Sequence, residues 1–401
     1  MSYAAWVSGA DKALTLAAGQ IRLIRAVTPS NVESERAALE EAFRRGSTRL
    51  PKWRYDPLPV PPDLPRALEA LADFLDKEPP LGPIYAARAR ELCLEAAIVE
   101  ATGTPRLTAL AKQRFLDPSA VSREDGERAD AMALAWTSDV LFSNGAGIDC
   151  RGGNGEATEE RSIRTCDESD PRSLVSRMNA EVGKRRLPMR VSVHPGMASL
   201  AATGDGVILV AENKWVAPKD VERTVLHEIE GHALPRARAA RAPIALFAIG
   251  TARGIDDQEG RAIAIEEAAG FLDNARRFEL GCRHLAARAT HDGADFVDVV
   301  ALLQGRHATV EDALRIAARV QRGGLTGGGL SREVVYLASR CKLARLTAGE
   351  DGRKIEDVMR GGRVAADVAL DLAAALRQEI DGIERNPSVT RTKSSRSSET
   401  R

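Results

Sequence analysis

Apolar positions recur at helical intervals along most of this chain and at strand intervals in one short stretch. Helical patterns occupy residues 1–50, and a long apolar-periodic run from Ile84 to Glu100 predicts a buried helix, with another around Glu124 to Leu141. Between them lies a connection from Leu50 to Pro65, where prolines at 59, 61, 62 and 65 oppose helix formation. After a helix near Ser173–Lys184 the period changes. Met189 to His194 alternates apolar and polar, and Val207 to Ala211 is a short β-branched run after Gly204-Asp205-Gly206, so both read as strands. Pro218 then opens a helix carrying Val221, Val225, Leu226 and the segment His227 to His232, which should end before Pro235. Beyond it, helical spacing returns at Glu259–Ala287, Val310–Val320, Arg332–Leu346 and Arg363–Ile380, with a glycine-rich connection at Gly323–Gly329.

The pattern predicts an α+β fold, predominantly α-helical, with a small β-sheet next to the helix that holds His227 and His232. The expected organisation is an N-terminal helical region at 1–170, a second region at 171–385 packed with it into one compact body, and a disordered tail at 386–401. That tail is rich in Ser, Thr and Arg and nearly devoid of large apolar groups. The stretch from Ser143 to Asp170 carries five glycines with Asn, Ser and charge, and reads as a surface loop; it has no G-x-x-x-x-G-K-[ST] phosphate signature.

Composition narrows the function classes. Lys plus Arg and Asp plus Glu both number 57, so no overall field favours nucleic acid or an anionic membrane. Aromatic residues make up only 4%, which suits helices better than a β-sandwich. No apolar run approaches the ~20 residues of a membrane span, and the N-terminus lacks the pattern of a secretory signal. Cys93, Cys150, Cys166, Cys282 and Cys341 are scattered and form no C-x-x-C pair, so they read as free thiols in a cytoplasmic protein.

The chemistry concentrates in His227-Glu228-Ile229-Glu230-Gly231-His232, which holds two of the chain's six histidines. A zinc hydrolase needs imidazoles to hold the metal, a further protein ligand, an open position for water and a carboxylate to take its proton. The histidines are five apart instead of the four of H-E-x-x-H. In a regular α-helix that separation puts them roughly 140° apart, so both reach one ion only if the helix is distorted, and Gly231 is the residue best able to permit it. An ordinary helix with two unrelated histidines satisfies the same spacing. Downstream, Asp256-Asp257-Gln258-Glu259-Gly260-Arg261-Ala262 forms an acidic start to an apolar helix, where Asp256 and Asp257 suit the N-cap or first turn.

Taken together, HEIEGHA followed by Gln258-Glu259-Gly260-Arg261-Ala262 resembles the microtubule-associated tyrosine carboxypeptidase family and its bacterial relatives, whose members carry H-E-x-x-x-H and a later Q-E-G-type segment. Weaker similarity extends through Arg90-Glu91-Leu92 with Gly103-Thr104, and through Ser331 to Leu337, covering about residues 10–385. The resemblance implies a gluzincin-like ligand set: His227, His232 and Glu259 on one Zn2+ ion, with Glu228 as catalytic base. It departs from the family at Arg261, where leucine is common, and at Glu230, which reads as an exposed helix carboxylate.

The reaction the resemblance implies is release of a C-terminal residue, tyrosine or an acidic residue, from a peptide or protein. A terminal carboxylate needs a cation in its pocket. Arg332 and Tyr336, four apart and expected on one helix face, are the candidates for substrate binding. A zinc endopeptidase or aminopeptidase with the same metal centre, and a non-enzymatic helical interaction protein, remain as alternatives. His194, His284, His291 and His307 have no evident partners in the sequence.

Overall fold

The computed structural model describes residues 5–118, 121–138, 162–197, 199–204, 206–325 and 327–385, with side chains to residue 378. Most of the glycine-rich stretch, Cys150 and the 386–401 tail lie outside the described residues. The chain is mainly helical, and its sequence signals explain where many helices begin. Ser122, Ser173, Asp273, Asp295 and Thr309 each accept a backbone N–H of the first turn, and Asp295 completes a reciprocal capping box with Asp298.

Among the described residues, three apolar clusters form the core. The largest joins Ile98, Leu107 and Phe115 to Phe278, Phe296, Val320 and Leu337, so early and late helices share one core. A second joins Leu14, Leu75, Tyr85 and Leu92 to Leu246, Met359 and Leu372. The third lies under the sheet, where Leu174, Met178, Ile208, Val210, Val221, Val225 and Ile229 meet. Each fully buried Leu, Ile or Phe among these contributes roughly 1.5–3 kcal/mol relative to exposure. The helix Gly82–Glu100 is buried along most of its length, in keeping with its apolar periodicity, and Arg88, Glu91 and Glu95 are buried with it.

Among the described residues there are five short strands: β1 Ile163–Arg164, β2 Arg190–His194, β3 Ala201–Thr203, β4 Val207–Ala211 and β5 Trp215–Val216. The order β2-β4-β3 places β4 in the middle, parallel to β2 and antiparallel to β3, which forms an edge; β1 pairs separately with β5. Along β4 the side chains of Ile208 and Val210 point into the third core, the period-2 burial expected of a sheet with one packed face.

Several boundaries differ from the sequence expectation. The helix from Pro218 does not stop before Pro235: Pro218–Leu226 is α, His227–Ala233 is π, and Leu234–Ala239 continues as α. Pro235 sits in the first turn after the change of register, where its missing N–H removes little from the hydrogen-bond ladder. Glu259–Ala287 is two helices, Gly254–Ala268 and Asn274–His291, separated where Gly270 adopts φ +80°. Pro65 likewise lies inside the first turn of Leu64–Leu75, where proline is tolerated. Arg332 precedes its helix, which begins at Val334 after Ser331 at φ 48°.

Candidate metal centre

The distortion expected at Gly231 exists as one turn of π-helix. The Leu234 N–H bonds to the Ile229 carbonyl five residues back, so a five-residue separation closes one wider turn. His227 and His232 therefore point the same way, with their Nε2 atoms 3.3 Å apart. Gly231 serves a second purpose. A Cβ there would lie 2.7 Å from Ala262 Cβ, so glycine lets the π turn press against the Gly254–Ala268 helix.

That close approach brings Glu259 to the histidines. Its Oε2 lies 3.7 Å from His227 Nε2 and 3.6 Å from His232 Nε2. Ligand atoms of His227, His232 and Glu259 all fall within 4.8 Å of one another, the one such group of three among the described residues. Gly260 secures the other side of the same helix, since a Cβ there would meet the Ser339 backbone at 2.5 Å. Two imidazole nitrogens and one carboxylate oxygen, converging on a common point, match the donor chemistry of a zinc site that keeps a position open.

The electrostatics also fit a cation. Burial opposes the charged form of Glu259, yet His232, His227 and Arg332 hold its carboxyl well below the usual carboxylate range. Burial likewise opposes a charge on His227, but Glu259 and Glu266 push its pKa up to about 9. The cluster thus favours positive charge between its side chains, of the kind a bound cation would supply.

Glu266 is a neighbour of the site that sequence reasoning missed. Its Oε1 lies 2.6 Å from His227 Nδ1, and its carboxylate is held by Arg276 at 2.8 and 2.9 Å. This contact directs Nδ1 to Glu266 as a donor and turns Nε2 toward Glu259 and His232. A signal was available: Glu266 is seven residues after Glu259, two turns along the same helix face.

Glu228 sits beside this cluster at the start of the π turn and accepts a hydrogen bond at Oε2 from the Thr203 hydroxyl of edge strand β3, 2.7 Å away. Its neighbour Glu230 is half-buried and pairs with Arg185 at 2.7 Å, so it stabilises the surface of the helix. Arg261 is buried, donates to the Glu230 carbonyl at 3.1 Å and reaches Glu356, tying two helices together.

Arg332 lies against the cluster of His227, His232 and Glu259. Its Nη2 is 3.3 Å from Glu259 Oε1 and its Nε is 3.3 Å from Asp256 Oδ1. Tyr336 accepts at its hydroxyl from Arg319 Nη2, 3.2 Å away. Asp256 and Asp257 do occupy a first helical turn, but both are buried in ion pairs: Asp256 with Arg114 at 2.8 Å, Asp257 with Lys342 at 2.8 Å. Among the other histidines, His284 has a partner the sequence did not suggest, Asp130 at 2.7 Å, while His194 is exposed beside Pro195.

No curated protein matches the chain. A solved structure described as a lipoprotein from Colwellia psychrerythraea is similar at TM-score 0.46 and 11% identity, covering 78% of this chain and 69% of that one. That likeness is too distant to bear on fold or function. The family model of the microtubule-associated tyrosine carboxypeptidase matches residues 40–380, a span that includes the π turn, Glu259, Arg332 and Tyr336. By that match over most of its length, the chain belongs to the microtubule-associated tyrosine carboxypeptidase family.

Proposed function

We propose that this protein is a zinc-dependent carboxypeptidase that hydrolyses the C-terminal residue, tyrosine or an acidic residue, of a peptide or protein. The observation that carries the reading is the convergence of His227, His232 and Glu259 beside a carboxylate, Glu228, that belongs to the same π turn. A zinc ion held by those three side chains would polarise the scissile carbonyl and acidify an attacking water. Glu228 takes the proton of that water and returns it to the leaving amine. The Thr203 hydroxyl fixes one oxygen of the Glu228 carboxylate, leaving Oε1 as the acceptor. Glu266 holds His227 in the tautomer that ligates through Nε2. Edge strand β3 offers unpaired backbone groups next to Glu228, along which an extended peptide can lie.

Metal content tests the reading at its base. Protein purified at neutral pH without chelator should carry one zinc per chain by elemental analysis, and His232→Ala should lose it. Absence of zinc from the unaltered protein, with no gain on adding it, would contradict the proposal.

A further inference from the structure

The charges around the metal cluster are unevenly shared. Arg332 faces two carboxylates, Asp256 and Glu259. Asp256 also binds Arg114, which pairs with Glu91 at 2.9 Å and Glu95 at 3.1 Å, and Arg88 pairs with the same two glutamates. Arg332 is thus the last link of a buried ion chain that starts in the helix Gly82–Glu100 and ends on a ligand carboxylate. In that chain three arginines meet four acids, so an incoming anion finds no surplus of positive charge.

The opposite holds one turn further along. Arg319, from the helix Val310–Val320, and Arg322 donate to one and the same oxygen, Glu333 Oε1, at 2.8 and 3.2 Å. Two guanidinium groups therefore share one carboxylate. Burial and the neighbouring Arg319 hold the Arg322 pKa below its ordinary range, although Glu333 opposes them. Burial opposes the Arg319 charge too, and Tyr336, Glu333 and Glu259 outweigh it. Arg319 also donates to the Tyr336 hydroxyl, and its Nη1 edge has no partner among the described residues. Its side chain is 14% exposed and that of Arg322 is 17% exposed, so both still reach solvent. Surplus positive charge, free donors and a phenol near Glu259 form the chemistry that recognises a carboxylate.

We infer that Arg319, supported by Tyr336 and Arg322, receives the terminal carboxylate of the substrate, and that Arg332 is a positioning residue for Glu259. The inference rests on the carboxypeptidase reading above. A guanidinium already shared by two carboxylates is poorly placed to take a third, whereas one that shares a single carboxylate with a second arginine gains from it.

The test is binding of a short synthetic peptide ending in tyrosine, as free acid and as C-terminal amide, to the zinc-loaded Glu228→Gln protein by calorimetry. The free acid should bind about 10-fold tighter or more, the range of a charge-assisted hydrogen bond. Adding Arg319→Gln should remove most of that preference, while Arg332→Gln should keep it and weaken zinc binding instead. If Arg319→Gln fails to fold, Tyr336→Phe removes only a hydroxyl and should cut the preference several-fold. No preference for the free acid in the Glu228→Gln protein overturns the carboxypeptidase reading itself. A preference that survives Arg319→Gln, or is lost in Arg332→Gln with zinc retained, overturns this assignment alone.

Discussion

His227 Nδ1 lies 2.6 Å from Glu266 Oε1, in a carboxylate that Arg276 grips from its other side. The ring angle of the imidazole is thereby fixed, with Nδ1 toward Glu266 and Nε2 toward Glu259. Glu266→Gln keeps the shape but weakens that hold, and zinc affinity should fall about 10- to 100-fold in competition with a chromophoric chelator. Unchanged affinity would mean that the contact serves folding only.

Gly231 is set by space. Ala262 Cβ lies 2.7 Å from where a Cβ would stand, so Gly231→Ala must push the π turn away from the helix that carries Glu259. Overpacking of this kind costs about 1–3 kcal/mol, and both the melting temperature and zinc affinity should fall together. A variant as stable as the parent would show that the two helices are less tightly apposed than described.

Arg114 bridges Asp256, Glu91 and Glu95 in the interior. Arg114→Leu leaves buried carboxylates without their cation and should destabilise the protein by about 3–5 kcal/mol in urea unfolding at neutral pH. The loss should shrink as pH falls and the stranded carboxyls protonate. A loss that stays constant with pH would assign the effect to packing.

His291 is buried, with neither ring nitrogen well partnered, and burial together with Lys112 and Arg288 lowers its pKa to about 4. The unfolded chain, with a histidine pKa of ~6.5, binds the proton first as pH falls, so the stability present above that value is lost on the way down to the folded pKa. Between about pH 7.5 and pH 4.5 this one group should remove roughly 2–3 kcal/mol. His291→Leu should flatten that part of the stability profile, and an unaltered slope would place the acid sensitivity elsewhere.

Much of this was legible in the sequence because local signals agree with the fold. β2 and β4 are long enough to show their period, but β1, β3 and β5 have two or three residues each and leave no pattern to read. The five-residue histidine spacing already required a distorted helix, and the family pattern supplied Glu259 as its third member. The partners that tune the centre were hidden for different reasons. Glu266 lay on the expected face but had no motif, whereas Arg114 meets Asp256 across 142 residues of chain, a contact no periodicity reveals. The helix break at Gly270 falls among the apolar residues Ala268, Ala269, Phe271 and Leu272, which hid it.

The most direct measurement is mass spectrometry of a library of peptides with varied C-termini, incubated with the zinc-loaded protein and with Glu228→Gln. The account predicts loss of a single C-terminal residue with the first and intact peptides with the second. Internal cleavage, trimming from the N-terminus, or equal products from both proteins would contradict it.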